Sequence, residues 1–269
     1  MPELTLYNGD CIEVMKEIPD KSIDLIICDL PYGCLTADRK GKRVGELKDP
    51  SNPNSNIVIV NKPCAWDIKI DLKAFWEQVR RIRKNEHTPT IHFCTTKFGY
   101  ELIQSNEAEF RYDLVWDKQR GVSFLSANKM PMRSHEMIYV FSKAGAFYER
   151  KDKEGKFEPY AFKATNEGAG MIPGVPRTAT QNDGTKRCVL SVIQTPNKTL
   201  RKSAHPTEKP CDLYKWLIER YCPRGGTVLD PTFGSGNSVF TAYQLGRNAI
   251  GIEKDDNFFK KSACRLDAL

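Results

Sequence analysis

Two short loops carry residue types suited to chemistry on a planar, nitrogen-bearing molecule. The first is Asp29-Leu30-Pro31-Tyr32, which follows directly on the apolar run Ser22-Ile23-Asp24-Leu25-Ile26-Ile27-Cys28. Pro31 restricts Leu30 to an extended backbone and so fixes where its carbonyl points. One carboxylate and one rigid carbonyl can then aim at a common point beside an aromatic ring. Two acceptors match the two hydrogens of an exocyclic amino group, and the ring matches a flat base. The second loop is Asp230-Pro231-Thr232-Phe233-Gly234-Ser235-Gly236, after Thr227-Val228-Leu229. Its glycines let the backbone turn tightly under a ligand before a helix begins. Glu253 stands seventeen residues after Gly236, at the end of the next apolar run, where a carboxylate can bind both hydroxyls of a ribose. Val239 replaces the third glycine of the dinucleotide fingerprint, which favours a nucleoside without a pyrophosphate. Taken singly, each loop also fits an ordinary turn, the first with a buried tyrosine and the second as a strand-turn-helix joint.

The elements that would hold these loops alternate. Cys11 to Ile18 has helical spacing, Ile23 to Ile27 reads as a buried parallel strand, and residues 34 to 63 make a long polar loop. Leu72, Phe75, Trp76, Val79 and Ile82 put a helix between Asp71 and Lys84. Strands are expected at Thr90 to Cys94, Tyr112 to Trp116 and Met137 to Phe141. From about Lys143 to Ala204 the periodicity is lost, with only short apolar fragments such as Cys188 to Ile193. Order returns with a helix whose first turn holds Pro210, the strand before Asp230, a helix through Leu245, a strand Ala249 to Ile252 and a closing helix Phe258 to Leu266. The pattern predicts an α/β fold with a mostly parallel, doubly wound sheet and an irregular insert.

Composition narrows the function classes. The 269 residues are 40% hydrophobic and 28% charged, an ordinary globular balance that excludes disordered and fibrous chains. No apolar run reaches membrane-spanning length, and the start Met1-Pro2-Glu3-Leu4 lacks the regions of a leader, so a cytoplasmic protein of a bacterial or phage-infected cell is expected. Nine cysteines without a C-x-x-C pair give no support to a zinc site or a disulfide framework, and Cys28 and Cys94 read as reduced core residues. The net charge is +7, and residues 143 to 209 hold 13 Lys and Arg against 7 Asp and Glu, or +6 of it. A polyanionic partner meeting that stretch is the natural reading, against the plainer one of a solvated face.

Taken together, the order and spacing of the motifs resemble the amino-group DNA methyltransferases that use S-adenosylmethionine, in the permuted arrangement where the D-P-P-Y loop precedes the F-x-G-x-G loop. The likeness runs through Asn8-Gly9-Asp10-Cys11, SIDLIICDLPYG, FWEQVRRI, TIHFCTTKFG, LVWDK, HPTEKP, VLDPTFGSGNS and GIEKD. It implies a Rossmann-like methyltransferase fold in which residues 1–142 form the catalytic part, 143–204 a target-recognition insert and 205–269 the cofactor-binding part of the same domain.

The resemblance also implies roles. Asp29 and the Leu30 carbonyl would accept the amino hydrogens of a flipped-out base, Pro31 would constrain that carbonyl and Tyr32 would stack on the ring. Leu30 stands where the family more often has proline. The cofactor would meet Phe233, Gly234 and Gly236 of the glycine loop, with Asp230, Asn237 and Ser238 around it. Glu253 would bind its ribose, Asp10 with Cys11 its adenine amino group, and Asp29 would lie beside it. Thr207 would cap the following helix and Lys209 would pair with the methionine carboxylate, while His205 reads as structural. Trp116-Asp117-Lys118 is either a wall of the base pocket or, for Trp116, core. Lys129, Arg133, Arg177, Lys186, Arg187, Arg201 and Lys202 are the candidates for DNA contacts. No metal is implied. Asp at the first loop position favours adenine N6 over cytosine N4; an RNA or protein methyltransferase and a non-catalytic DNA-binding relative are the remaining alternatives. Duplex DNA is the implied partner, and members of this group are often homodimers and often accompany a cognate restriction endonuclease.

Overall fold

The computed structural model describes residues 1–33, 68–122, 124, 127–164, 179–196 and 208–264. In chain order the elements are β1 (Leu4–Asn8), α1 (Cys11–Glu17), β2 (Leu25–Cys28), α2 (Leu72–Ile82), β3 (Thr90–Cys94), α3 (Thr96–Ser105), β4 (Phe110–Val122) and β5 (Arg133–Phe141). Then come β6 (Lys153–Glu154), β7 (Tyr160–Phe162), β8 (Thr180–Asn182), β9 (Lys186–Arg187), β10 (Val192–Gln194), α4 (Cys211–Tyr221), β11 (Thr227–Asp230), α5 (Asn237–Gln244), β12 (Asn248–Glu253) and α6 (Asp256–Ala263). They form two compact units, one of residues 1–147 and 192–269 and the other of residues 148–191.

The larger unit is built on one eight-stranded sheet in the order β1-β12-β11-β2-β3-β5-β4-β10. Every pairing is parallel except those of β5, which runs opposite to both β3 and β4. The α/β architecture with a mostly parallel sheet is therefore present. Its central strands are buried on both faces, which is why they read as unbroken apolar runs. Alternate residues go to opposite sides: Leu25, Ile27, Ile91 and Val228 join a core with Leu213, Leu217 and Ile218 of α4 and Val239 of α5. Ile26, Cys28 and Leu229 join the other, with Met15 of α1, Phe75 and Val79 of α2 and Leu102 of α3. Asp10, Asp71, Thr95 and Asp255 cap α1, α2, α3 and α6 by accepting backbone N–H bonds.

Several boundaries differ from the pattern-based expectation. β4 runs from Phe110 to Val122, well past Trp116, because its outer half pairs with β5 as a hairpin arm. Helix α3 fills a stretch with no expected element, and Val192–Gln194 forms the sheet edge beside β4. Pro210 is the residue before α4 rather than inside its first turn, and the last helix ends its described course at Ala263. The smaller unit has two ladders, β6 with β9 and β7 with β8, both antiparallel. No described helix is long and apolar enough to cross a membrane.

One core residue gives the larger unit a pH dependence. His92 of β3 is fully buried, edge-on to Phe75, Trp76 and Phe141, and neither ring nitrogen has a hydrogen-bond partner among the described residues. Burial lowers its pKa from 6.5 to about 3, so the folded chain keeps it neutral. Its contribution is complete above the unfolded value and is lost as pH falls below it, at roughly 1.4 kcal/mol per pH unit. Urea unfolding should show about 2 kcal/mol lost from this source between pH 6.5 and 5. In His92→Leu the loss over that window should shrink by that amount; an equal decline in both proteins would refute the assignment.

Candidate active site

In an open parallel sheet, ligands bind outside the carboxyl ends of the strands where the winding direction reverses. Here the chain winds outward from β2 through β3 on one side and from β11 through β12 on the other, so the reversal lies between the adjacent strands β2 and β11. Asp29 follows β2 at that edge, and Asp230 and Glu253 end β11 and β12. A cavity of about 540 Å³ opens there, within the usual size of a small-molecule site. Its walls include Asp10 and Cys11, the whole Asp29–Tyr32 loop, Lys209, Phe233–Ser235 and Glu253.

The first loop is held by charge. Tyr32 Oη donates to Asp29 Oδ1 at 2.7 Å, and Lys209 Nζ donates to Asp29 Oδ2. The Tyr32 ring packs on Phe98 at 5.1 Å between centroids, and Leu30 is buried. Burial, reinforced by the neighbouring Asp29 charge, raises the Tyr32 pKa well above the ordinary value, so its hydroxyl remains a donor. The Lys209 side chain is only 3% exposed and lies 4.7 Å from the Phe93 ring centroid. Burial opposes its charge, but Asp29 and Glu136 outweigh it and hold its pKa above that of a free lysine. The resemblance pairs Lys209 with a ligand carboxylate; among the described residues its ammonium donates to Asp29.

The glycine loop is held by backbone geometry. Phe233 N donates to the Ile252 carbonyl and Gly234 N to Glu253 Oε2, which binds the loop to the end of β12. Gly236 precedes α5 with φ +81°, and a Cβ there would stand 2.4 Å from the Phe240 ring, so glycine is required on two counts. Asp230, Asn237 and Ser238 lie beneath the loop rather than on the cavity wall. Ser238 Oγ donates to Asp230 Oδ2, and Asn237 Nδ2 donates to the Lys209 carbonyl at 2.8 Å and to Glu208. Burial pushes Asp230 up to about 7 against the hydrogen bond from Ser238, and burial likewise raises Glu253. Asp10 accepts from Ile12 N and pairs with Lys254 at 3.0 Å.

Burial pushes the Cys11 and Cys94 thiols up to about 12, so neither supplies a thiolate nucleophile near neutral pH. Among the described residues no group of His, Cys, Asp and Glu is arranged to hold a metal ion. Trp116 is core, with Nε1 donating to the Thr195 carbonyl, whereas Lys118 turns to Glu136. Glu136 and Tyr214, both on the cavity wall, escaped the sequence reading. The available signal for Glu136 was a single acid set at the head of the apolar strand Met137–Phe141.

Of the candidate DNA contacts, Lys129 is exposed on the hairpin and Arg133 donates to Thr96 Oγ1 at 3.1 Å. In the smaller unit, Lys186 faces Glu154 at 3.8 Å. Arg187 lies over the rings of Phe157 and Tyr160 and donates to Asn182 and to the Glu158 carbonyl, so it organises its own unit. Arg177, Arg201, Lys202, His205 and Thr207 lie outside the described residues.

Residues 23–263 match the model of the N6/N4 methyltransferase family, described as DNA methylase. The Type II methyltransferase M.HinfI of Haemophilus influenzae is 27% identical over 277 residues, covering 97% of this chain and 68% of that protein. The Type II methyltransferase M.ScaI of Streptomyces caespitosus is 22% identical over 285 residues, covering 99% and 82%. The crystal structure of the M1.HpyAVI–SAM complex has TM-score 0.58 at 18% identity and covers 98% of this chain and 99% of its own. PvuII DNA methyltransferase, described as cytosine-N4-specific, has TM-score 0.63 at 15% identity and covers 99% and 87%. At these identities the structural likenesses show a shared fold.

The buried cation between two carboxylates leads to a stability prediction. Lys209→Met leaves Asp29 and Glu136 facing each other without it and should cost about 3 to 5 kcal/mol in urea unfolding. Lys209→Met combined with Asp29→Asn should recover most of that loss; no recovery would mean that the pairing is not what holds the loop.

Proposed function

The chain belongs to the N6/N4 DNA methylase family, and from that premise we propose that it transfers a methyl group from S-adenosylmethionine to the exocyclic N6 of adenine in a nucleotide flipped out of duplex DNA. The observation that carries the reading is the single cavity shared by the Asp29–Tyr32 loop and the glycine loop with Glu253. One half offers acceptors for an amino group and the other suits a nucleoside, so donor and acceptor would meet inside one enclosure.

The residues present fit the cofactor. Gly236, where a side chain would strike the Phe240 ring, sets the turn behind the wall formed by Phe233–Ser235, Phe233 offers an apolar face, and Glu253 stands at the end of β12 with lone pairs beyond those used by Gly234 N and Asp255 N. Asp10 stands on the same wall, ready to accept from an adenine amino group. When bound, S-adenosylmethionine supplies an electrophilic methyl group on sulfonium sulfur.

An aromatic amine is a weak nucleophile because its lone pair is delocalised into the ring. Asp29 and the Leu30 carbonyl would accept the two amino hydrogens and favour a pyramidal nitrogen, while Tyr32 lies along the ring. Holding the nitrogen in line with the methyl carbon removes most of the entropic barrier. Asp29 at this loop position supports adenine over cytosine, the alternative acceptor. The basic stretch 143–209, including Arg177, Arg201 and Lys202, would meet the DNA backbone and read the target. Cytoplasmic action on the cell's own DNA, a homodimer and a companion restriction endonuclease complete the proposal.

Tritiated-methyl transfer to DNA of mixed sequence, followed by nucleoside digestion, tests the reaction and the base together. Label in N6-methyladenosine is expected; label in N4-methylcytidine would replace the adenine reading, and no transfer would end the proposal. Asp29→Ala should lower transfer by at least about 100-fold while cofactor affinity stays within a few-fold, since the amino acceptor is removed and the glycine loop is left in place. Gly236→Val should instead weaken cofactor binding by about tenfold or more in calorimetry, because it forces both backbone strain and a clash with Phe240.

A further inference from the structure

Four charged side chains, Lys118, Glu136, Lys209 and Asp29, meet at the carboxyl edge of the sheet, and of these the methyl-transfer scheme uses Asp29 alone. Glu136 Oε1 accepts from Lys118 Nζ at 2.5 Å, and Glu136 Oε2 lies 3.9 Å from Lys209 Nζ. Lys209 in turn donates to Asp29. Oε2 of Glu136 is buried and has no hydrogen-bond partner among the described residues, and Glu136 is one of the residues that line the cavity. Keeping an acid here is costly unless it is used, because desolvation disfavours the charged form. Burial does work against Glu136, yet Lys209 and Lys118 outweigh it and hold the group ionised below the ordinary glutamate value.

With both acids ionised the quartet is neutral, two cations against two anions. Without the Glu136 charge, Lys209 and Lys118 together would outweigh Asp29. The excess cation would sit where positive charge arrives during transfer: the amino lone pair forms the N–C bond, the C–S pair returns to sulfur, and the surplus proton then leaves the nitrogen for water. It would also draw Asp29 toward Lys209 and weaken its acceptance of the amino hydrogen.

We infer that Glu136 is a positioning residue for methyl transfer: by sharing Lys209 with Asp29 and holding Lys118, it keeps the Asp29 carboxylate a full-strength acceptor for the amino group. The inference rests on the methyl-transfer reading above but is indifferent to adenine or cytosine, since both present an amino group.

Glu136→Gln preserves size and leaves the cluster with one excess positive charge. Glu136→Gln with Lys118→Met restores neutrality around Asp29 and Lys209. Single-turnover methyl transfer by the full chain should fall about 100-fold in Glu136→Gln, with cofactor and DNA affinities within about twofold of the parent. The double variant should return to within about fivefold of the parental rate. A merely structural ion pair predicts the same recovery, but with the Glu136→Gln rate falling only in step with its urea stability and cofactor affinity; a rate loss that disappears once the folded, cofactor-saturated fraction is matched to the parent overturns the inference, and so does a double variant no faster than the single one. So does a Glu136→Gln rate within about threefold of the parent, given the size of an uncompensated charge at this distance. If Glu136→Gln does not fold, the double variant decides alone: folded and fast supports the assignment, folded and slow overturns it. A parent chain that transfers no methyl group defeats the underlying reading instead, so the two failures are distinct.

Discussion

The ion pair between Lys209 and Asp29 joins two parts of the chain that are 180 residues apart. Its ammonium is buried, so it is stable only while anionic oxygens surround it, and the loop carrying those oxygens cannot drift without exposing an unpaired charge. The same pair adjoins the second loop, because Asn237 at the start of α5 donates to the Lys209 carbonyl. One residue therefore ties the Asp29–Tyr32 side of the cavity to the glycine-loop side. The parallel sheet makes this economical. Strands β2, β11 and β12 all end at one edge, and each delivers a carboxylate there without a long loop.

Much of this was legible in the residues alone. The central strands are buried on both faces and announce themselves as short apolar runs, and α2 shows its buried face at helical spacing. What stayed hidden was direction and partnership. An apolar run has no polarity, so nothing in Met137–Phe141 says that β5 runs against its neighbours. Helix α3 was obscured by Lys97, Gly99 and Gln104 within a short span, and Gly99 is there because the Tyr139 ring leaves no room for a Cβ. Glu136 was hidden for the same reason as the Lys209 pairing: its meaning lies with residues 18 and 73 positions away. The fold-level motifs were local and readable, whereas the electrostatic network was not.

The charge excess of residues 143–209 also acquires structure. In the smaller unit Arg187 is clasped by two aromatic rings and by a carbonyl, which makes it a framework group in a unit with little apolar interior. Such a use of arginine stabilises short ladders that could not fold on hydrophobic burial alone. A count of positive residues therefore overstates how many are available for a phosphate.

The reversal of β5 has a consequence for how such a site can diversify. Because β4 and β5 form a hairpin, with Trp116 opposite Glu136 in register, the paired arms hold Lys118 and Glu136 at the cavity edge and continue to Val122 opposite Arg133. Insertions or deletions beyond that register leave the pairing that sets Lys118 and Glu136 intact. A segment inserted between Val122 and Arg133 can therefore change in length and composition without disturbing the charge balance at Lys118 and Glu136. The architecture uncouples the length of that arm from the charges at its root.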